Sequence, residues 1–363
     1  MHTGNQKSPH ESPIAIVAVT RNGVRLAMQL QAELPGSVCF VPRRHQFALA
    51  MGANAYDHLG GLFPELWKSH KSLVCIMAAG IVVRLITRLL RNKATDPAVV
   101  VMDERAQFVI SLVSGHLGGA NDLAREVAAL TGGQAVITTA SDVDGRPSID
   151  LIARELSLEI ENPSMLARTA RAILEEESLW VFDPDGRLRK SLAGLGNIVW
   201  WPDEERQGES DLPKGSPGIW VSERMPPPGV DCLILRPRNL VVGLGCNRGT
   251  GVDEILGLLK EVLGRTGVSA ASIRNLASID LKTDEPCLLD ASAELKRPIH
   301  FYPRRELEGM VVPNPSPVVE SHIGVQSVCE AAALLSAGKG NLVIPKQKTA
   351  NVTLAVARVD YLL

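Results

Sequence analysis

The sequence has few aromatic residues, no excess charge of either sign and no long hydrophobic run. Aromatic residues make up 4% of the 363 residues, which leaves little material for a base-stacking platform. Lysine and arginine number 38 against 40 aspartate and glutamate residues, so a general attraction to nucleic acid or to an anionic membrane is not indicated. The longest apolar run, residues 73–83, ends at Arg84 and is too short to span a bilayer.

Export signals and cysteine motifs are lacking as well. Residues 1–12 are polar and predict a disordered tail rather than a signal peptide. The six cysteines are scattered, without a Cys-x-x-Cys pair or a histidine at zinc-finger spacing. We therefore expect a reduced, cytoplasmic protein without a metal site of its own.

What the sequence does contain is a pattern of strands and helices. Apolar strand-like runs alternate with helical patterns, which predicts a mixed α/β fold of mainly parallel sheets with flanking helices in the N- and C-terminal domains. The middle domain is predicted to be a small α/β unit. The predicted division is a tail at 1–12, an N-terminal domain at 13–150, a middle domain at 151–237 with a flexible loop at 202–218, and a C-terminal domain at 238–363.

The N-terminal domain shows this alternation most clearly. Its predicted strands are residues 14–19, 38–41, 73–77, 98–102, 107–113 and 135–138, and a helix is predicted from Ala79 through Leu90. The strands at 98–102 and 107–113 are joined by a short polar turn and predict a hairpin, so part of the sheet is expected to be antiparallel.

The stretch from Phe108 to Asn121 is the strongest candidate for chemistry. It predicts a strand that runs into a helix, and Ser114, Gly115, His116, Gly118 and Gly119 lie between the two. Backbone amides at a helix N-terminus suit an anionic ligand. Histidine titrates near neutrality, which suits proton transfer, although a loop histidine is also an ordinary surface residue. Ser114 is either a nucleophile beside a base or a cap of the turn.

A second glycine-rich turn follows a predicted strand at 239–243. Gly243-x-Gly245-x-x-x-Gly249 resembles a dinucleotide-binding pattern, but its last glycine is one place late and the expected acidic residue is missing. A turn that brings backbone amides and Arg248 to an anion fits better, and pairing of Arg248 with a local carboxylate is the alternative.

Several further charged residues are candidates for binding acids. Arg84, Arg88 and Arg91 share one face of the predicted helix, and Arg84 lies nearest the strand ends where ligands bind in α/β sheets. Their alternative role is a solvated helix face. The pair Lys346 and Lys348 precedes the last predicted strand and could present cations to an acid. Ser327 and Glu330 fit a capping box, which is a structural role.

Several motifs, taken in order, resemble the cobalt-precorrin-5A hydrolases of anaerobic cobalamin biosynthesis. The N-terminal motifs are Ala79-Gly80-Ile81-Val82-Val83-Arg84, Asp96-Pro97-Ala98-Val99-Val100-Val101, Ser114-Gly115-His116-x-Gly118-Gly119-Ala120-Asn121 and Val136-Ile137-Thr138-Thr139-Ala140. The C-terminal motifs, which also resemble a protein of the aerobic pathway, are Gly243-Leu244-Gly245-Cys246-x-Arg248-Gly249-Thr250, Ala277-Ser278-Ile279-Asp280-x-Lys282-x-Asp284-Glu285 and Gly324-Val325-x-Ser327-Val328-Cys329-Glu330. Asn247 departs from the basic residue common in that family.

The resemblance implies an activity. Members of the family open the δ-lactone of cobalt-precorrin-5A and release a two-carbon fragment as acetaldehyde, giving cobalt-precorrin-5B. No cofactor is implied, because the cobalt is carried by the corrinoid substrate; neighbouring enzymes of the pathway are the other implied partners. His116 is the expected acid or base and Glu285 a weaker one, with backbone amides near Gly118 and Gly119 stabilising an oxyanion. The expected substrate contacts are Gly80, Arg84, Ser114, Gly115, Gly118, Gly119, Asn121, Thr139, Gly245, Arg248, Gly249 and Lys282.

Two other classes of function remain open at this point. One is a non-catalytic carrier that hands corrin intermediates from enzyme to enzyme. The other is a nucleotide-dependent α/β enzyme. Release of acetaldehyde distinguishes the hydrolase from both.

Overall fold

The computed structural model describes residues 14–92, 95–116, 118–139, 145–201, 215–315, 324–338 and 340–360. The predicted tail at 1–12 and most of the predicted loop at 202–218 lie outside these residues. The chain divides into two compact units, Met1–Leu151 and Ile152–Leu363. Among the described residues, we find no helix with both the length and the apolar character needed to cross a membrane.

The first unit is built on a seven-stranded sheet. Its strands are β1 (Ile14–Ala18), β2 (Ser37–Pro42), β3 (Asn54–Tyr56), β4 (Ser72–Ile76), β5 (Ala98–Met102), β6 (Phe108–Val113) and β7 (Gln134–Val136). Its helices are α1 (Arg21–Glu33), α2 (Gln46–Ala50), α3 (Leu59–Ser69), α4 (Ala79–Ile86) and α5 (Ala120–Thr131), and the helix Ile149–Glu155 contains the residue at which the first unit ends, Leu151. The strand order is β3-β2-β1-β4-β5-β6-β7.

The pairing of β6 sets the geometry of this sheet. Strands β1 to β5 run parallel to one another. Strand β6 is antiparallel to β5, and β7 is parallel to β6. The predicted hairpin and the mixed α/β class are thus confirmed. As a result, the carboxyl ends of β6 and β7 lie at the edge of the sheet opposite to the carboxyl ends of β1, β4 and β5.

Burial explains why the central strands form. All five residues of β1, of β4 and of β5 are buried, and helices pack on both faces of the sheet, as expected for parallel strands. The sequence analysis missed β3. This strand has three residues, of which two are exposed, so it leaves no apolar run to recognise.

Helix α4 is shorter than the sequence predicted. It ends at Ile86 rather than continuing through Leu90. Further along, the buried Asp96 carboxylate accepts hydrogen bonds from the amides of Arg91 and Asn92, which turn the chain back toward β5. Arg88 and Arg91 therefore lie beyond the helix, and the predicted face of three helical arginines is wrong.

The second unit contains two five-stranded sheets. One has the order β10-β9-β11-β12-β8, and the other has the order β15-β14-β13-β17-β16. The strands of the first are β8 (Leu158–Ile160), β9 (Leu179–Phe182), β10 (Ile198–Trp201), β11 (Gly218–Val221) and β12 (Leu233–Pro237). Those of the second are β13 (Leu240–Cys246), β14 (Ile273–Ile279), β15 (Ile299–Tyr302), β16 (Asn341–Lys348) and β17 (Val352–Arg358).

Helices cover both sheets of this unit. They are Leu166–Leu174, Arg189–Leu192, Val252–Thr266, Pro286–Leu295, Arg304–Glu308 and Val328–Ala337. In the second sheet, β13 is parallel to β14 and antiparallel to β17, so the turn between β16 and β17 lies at the edge where β13 and β14 end. The loop after β13 and the β16–β17 turn therefore share one edge.

Candidate functional site

The loop after β6 is tightly wound. Ser114 lies in the left-handed backbone region at a φ of 59°, and Gly119, the residue that caps α5, has a φ of 86°. The Ser114 hydroxyl donates a hydrogen bond of 3.0 Å to the carbonyl of Asp96, at the amino end of β5. This contact anchors the turn and does not cap the helix, so the structural role considered for Ser114 is that of a turn anchor.

Two glycines of this loop have no room for a side chain. A Cβ atom at Gly115 would lie 2.7 Å from the amide oxygen of Asn121, and one at Gly118 would lie 2.3 Å from the Cβ atom of Ser114. Both distances are shorter than real carbon contacts. The sequence Gly115-His116-x-Gly118 is therefore required for the chain to fold back on itself.

Asn121 joins the loop to the neighbouring elements. Its side chain is 3% exposed, accepts a hydrogen bond of 2.6 Å from the Ser111 hydroxyl and donates one of 3.3 Å to the Thr139 hydroxyl. Its backbone amide donates to the carbonyl of Gly115 at 3.0 Å. One buried amide side chain thus ties together β6, the loop, α5 and the segment after β7. The structure brings together seven of the predicted site residues: Ser114, Gly115, His116, Gly118, Gly119, Asn121 and Thr139.

The amides at the start of α5 are largely used within the loop. Gly119 donates to the carbonyl of His116 at 2.9 Å, and Ala120 donates to that of Ser114 at 3.1 Å. The Gly119 amide is thus occupied in closing the turn around His116, and stabilisation of an oxyanion by backbone amides near Gly118 and Gly119 stays a prediction. His116 itself is half-buried at the tip of that turn.

Gly80 and Arg84 lie elsewhere in the same unit. Helix α4 begins at the carboxyl end of β4, whereas the Ser114 loop adjoins the amino end of β5, so the two sets are separated by the length of β5, about 16 Å. Arg84 is exposed, and its guanidinium donates to the carbonyl of Gly80 at 3.0 Å. A pocket of about 420 Å³ lies at this edge and includes Ala79 and Phe108 among its lining residues.

The second predicted loop follows β13. Gly249 has a φ of 75°, and its amide donates a hydrogen bond of 2.9 Å to the carboxylate of Glu285. The Thr250 hydroxyl donates to the carbonyl of Asn247 at 2.8 Å. Gly243 serves helix packing, because a Cβ atom there would lie 1.9 Å from the carbonyl oxygen of Cys329. The glycine pattern that resembled a dinucleotide motif thus has a packing explanation.

Glu285 is held by two donors. Its side chain is 4% exposed and accepts from the Gly249 amide and, at 3.3 Å, from the ammonium group of Lys282. The hydrogen bond from the Gly249 amide, together with Lys282 and the nearby Arg248, lowers the pKa of this carboxyl group. These contacts favour a carboxylate that shapes the loop. A role for Glu285 as acid or base stays a prediction.

Arg248 lies near this contact and is exposed to solvent. Its side chain is 72% exposed, and its guanidinium lies 3.7 Å from the carboxylate of Asp284. This is the local ion pair that the sequence left open as the alternative. Such a pair on the surface is worth at most about 1 kcal/mol, so it leaves the guanidinium available to a ligand.

A pocket of about 460 Å³ lies between the loop after β13 and the β16–β17 turn. Three lysines, Lys282, Lys346 and Lys348, are among its lining residues, together with Gly245. Only Lys282 and Gly245 were in the set of predicted contacts. The signal for Lys346 and Lys348 was their position just before the last strand, which does not reveal which way their side chains point.

Within the described ranges, no group of three histidine, cysteine, aspartate or glutamate side chains is placed to hold a metal ion.

We predict that Gly115→Ala destabilises the first unit by about 2 kcal/mol, because the added carbon overpacks against the buried Asn121 side chain. The thermal unfolding midpoint measures this. Gly60→Ala is the matched control, since a Cβ atom at Gly60 in α3 meets nothing within 4 Å. Equal midpoints for the two variants would contradict the tight packing of this loop.

Three family profiles match the chain in order. Residues 61–142 match the cobalamin synthesis G N-terminal domain, residues 147–237 match the cobalamin biosynthesis central region, and residues 240–357 match the cobalamin synthesis G C-terminus. Together they reach all three sheets, and strands β1 to β3 of the first sheet precede the first match.

Two relatives that match nearly the whole chain, and a third that matches part of it, agree with these family matches. The chain is 32% identical to a cobalt-precorrin-5A hydrolase of Priestia megaterium, covering 96% of this chain and 95% of that protein. It is also 32% identical to the enzyme of the same name from Salmonella typhimurium, covering 95% and 97%. Protein CobE of a Sinorhizobium species is 36% identical over 32% of this chain and 79% of its own length. The chain therefore belongs to the cobalt-precorrin-5A hydrolase family.

Proposed function

We propose that this protein is a cobalt-precorrin-5A hydrolase, which opens the δ-lactone of its substrate and releases acetaldehyde to give cobalt-precorrin-5B. The observation that carries the proposal is the 32% identity to the Priestia megaterium hydrolase along 96% of the chain. A likeness of this extent is not confined to one domain.

The proposed reaction balances with water as its one co-reactant. Water adds to the lactone carbonyl, the ring C–O bond breaks, and a carboxylic acid and a free hydroxyl group result. Loss of the hydroxyl proton then accompanies cleavage of the adjacent carbon–carbon bond. The two-carbon fragment leaves as acetaldehyde, and the electron pair remains on the conjugated macrocycle, which takes up a proton. No electrons are exchanged with a third compound, so the reaction requires no redox cofactor; the cobalt ion belongs to the substrate.

His116 is the proposed proton carrier. It either activates the water or accepts the hydroxyl proton as the carbon–carbon bond breaks. Its support is its position: the loop that holds it is fixed by Ser114, Gly115 and Asn121, so the imidazole sits on a rigid support at the end of two strands. A rigid support favours a defined geometry for proton transfer.

The other predicted contacts are proposed to bind the substrate. The Ser114, Gly118 and Thr139 region would position the lactone near His116. Lys282, Arg84 and Arg248 would bind peripheral carboxylates, since Lys282 faces a pocket and both arginines are exposed.

Acetaldehyde release tests the function. Purified protein is incubated with cobalt-precorrin-5A. The acetaldehyde that is released is reduced by alcohol dehydrogenase, and the accompanying consumption of NADH is followed. We expect one acetaldehyde for each substrate converted. Tight binding of the corrinoid without acetaldehyde would instead identify a carrier and overturn the proposal.

A further inference from the structure

We propose that the pocket between the loop after β13 and the β16–β17 turn, here called the lysine pocket, binds two or more carboxylates along one edge of a polycarboxylate macrocycle. The inference rests on the proposed function for the identity of the macrocycle. It goes beyond that function by assigning Lys346 and Lys348 to substrate binding.

The charge of the lysine pocket is one-sided. Among the described residues that line it, three are lysines and none is aspartate or glutamate. The Lys282 side chain is 15% exposed, and its ammonium group forms an ion pair with the Glu285 carboxylate at 3.3 Å. Lys348 is exposed and Lys346 is half-buried. The lining of the pocket therefore has a net positive charge, even after Lys282 is paired with Glu285.

Apolar and polar groups are arranged as a carboxyalkyl side chain requires. The lining includes the apolar residues Ile279, Val328 and Val352, which can contact the alkyl part of an acetate or propionate group. The lysine ammonium groups supply donors for the carboxylate end. A volume of about 460 Å³ lies within the range of small-molecule sites.

A β-bulge lies at Lys346, one of the residues that line the pocket. The pairing of β16 with β17 loses its regular register between Ile344 and Gln347. The Lys346 amide, released from the ladder, donates to the carboxylate of Glu330 at 3.0 Å, and the Lys346 ammonium group donates to the carbonyl of Asn314 at 3.2 Å. Bulges commonly re-aim a side chain beside a functional site. Glu330 is fully buried and acts as a positioning residue, because it touches Lys346 through the backbone.

The turn on the other side of the pocket is held by its own contacts. The Glu254 carboxylate accepts from the Asn351 side chain at 3.2 Å and from the Thr349 hydroxyl. The Asn247 side chain donates to the amide oxygen of Asn351 at 3.2 Å. These hydrogen bonds engage Glu254 behind the turn and fix the distance between the two walls of the pocket.

Titration calorimetry of the full chain with cobyrinic acid, a corrinoid polycarboxylate, tests the inference. The proteins compared are the parent, Lys346→Gln, Lys348→Gln and the double variant. Each single substitution is expected to raise the Kd about tenfold, since each removes a charge-assisted hydrogen bond. Lys190→Gln, an exposed lysine of helix Arg189–Leu192, is the matched control and should leave the Kd unchanged.

A fully methyl-esterified cobyrinate serves as the second probe. Its binding should be weaker and insensitive to both substitutions, because the charges that the lysines recognise are gone. An unchanged Kd in the double variant, or equal loss in Lys190→Gln, would overturn the lysine pocket. A lysine-dependent Kd combined with absence of acetaldehyde from cobalt-precorrin-5A would overturn the proposed function alone. Full turnover with unchanged KM in the double variant would overturn the lysine pocket alone.

Discussion

Replacing His116 by alanine should reduce kcat about a hundredfold to ten-thousandfold, the usual contribution of a positioned acid or base. Since the imidazole is proposed to move protons rather than to bind the macrocycle, KM should change little. Acetaldehyde release under saturating substrate measures the effect. Added imidazole should restore part of the rate in His116→Ala, because the missing side chain leaves a space beside the reacting atoms.

Control variants distinguish the loss of proton transfer from misfolding and from the loss of any histidine. His116→Asn keeps a polar side chain of smaller size and should be as inactive as His116→Ala if proton transfer is the role. His300→Ala provides the control, since His300 is exposed on β15 and belongs to no candidate site. A His116→Ala variant that keeps its melting temperature and its parental turnover rate would refute the role of His116.

The local architecture around His116 could be predicted from the sequence because it depends on neighbours along the chain. The strand ending at Val113, the glycines after it and the helix from Ala120 are all as expected. The sequence did not predict which acceptors the backbone amides of this loop bind. Whether the Gly119 N–H group faces a ligand or the His116 carbonyl depends on the turn from His116 to Gly119, which residue types alone do not specify.

The separation of Arg84 from the Ser114 loop depends on long-range pairing. The sequence indicated that one strand end lies before α4 and another before His116, and it indicated the hairpin of β5 and β6. Only the strand order β4-β5-β6, with β6 reversed, places these ends at opposite edges of the sheet. Strand order is set by contacts between distant segments, and hydrophobic periodicity contains no record of it.

In the lysine pocket, too, contacts between distant segments could not be predicted from the sequence pattern. Lys346 and Lys348 are two residues apart, so a regular strand predicts that both face the same side. Both side chains do line the lysine pocket, but a bulge between Ile344 and Gln347 takes the Lys346 amide out of the ladder. The acceptor of that amide, Glu330, belongs to another element, so the backbone position of Lys346 depends on a carboxylate 16 residues away in the sequence.

Glu330 itself was misassigned from the sequence. The Ser327 and Glu330 pair fits a capping box, but the Ser327 side chain makes no capping hydrogen bond to the helix that begins at Val328. Glu330 instead accepts from the Asn314 amide at 3.0 Å, from the Asn314 side chain at 2.8 Å and from the Lys346 amide at 3.0 Å. Three donors and a position in the first turn of a helix explain how a fully buried carboxylate is tolerated.

Glu330→Ala should consequently lower the free energy of unfolding of the second unit by about 2 kcal/mol. The substitution leaves three donors without their acceptor, and an unsatisfied buried donor costs about 1–3 kcal/mol; the cost is smaller for the two donors of Asn314, which is exposed and can bind water instead. Hydrogen exchange of the Asn314 and Lys346 amides measures the loss directly, and the thermal midpoint reports its global effect. Exchange at these two amides should accelerate more than exchange in β9, which belongs to the other sheet of the unit.

Two variants distinguish the buried network from a general effect of removing charge. Glu330→Gln keeps one acceptor oxygen but turns an NH₂ group toward a donor, so its stability should fall between those of the parent and Glu330→Ala. Glu261→Ala, on the exposed side of helix Val252–Thr266, should change stability by less than about 0.5 kcal/mol. If Glu330→Ala matched Glu261→Ala, the carboxylate would not be holding the bulge, and the orientation of Lys346 would need another cause. If instead Glu330→Gln folds normally but binds cobyrinic acid more weakly, the bulge links a buried carboxylate to ligand affinity through the Lys346 backbone.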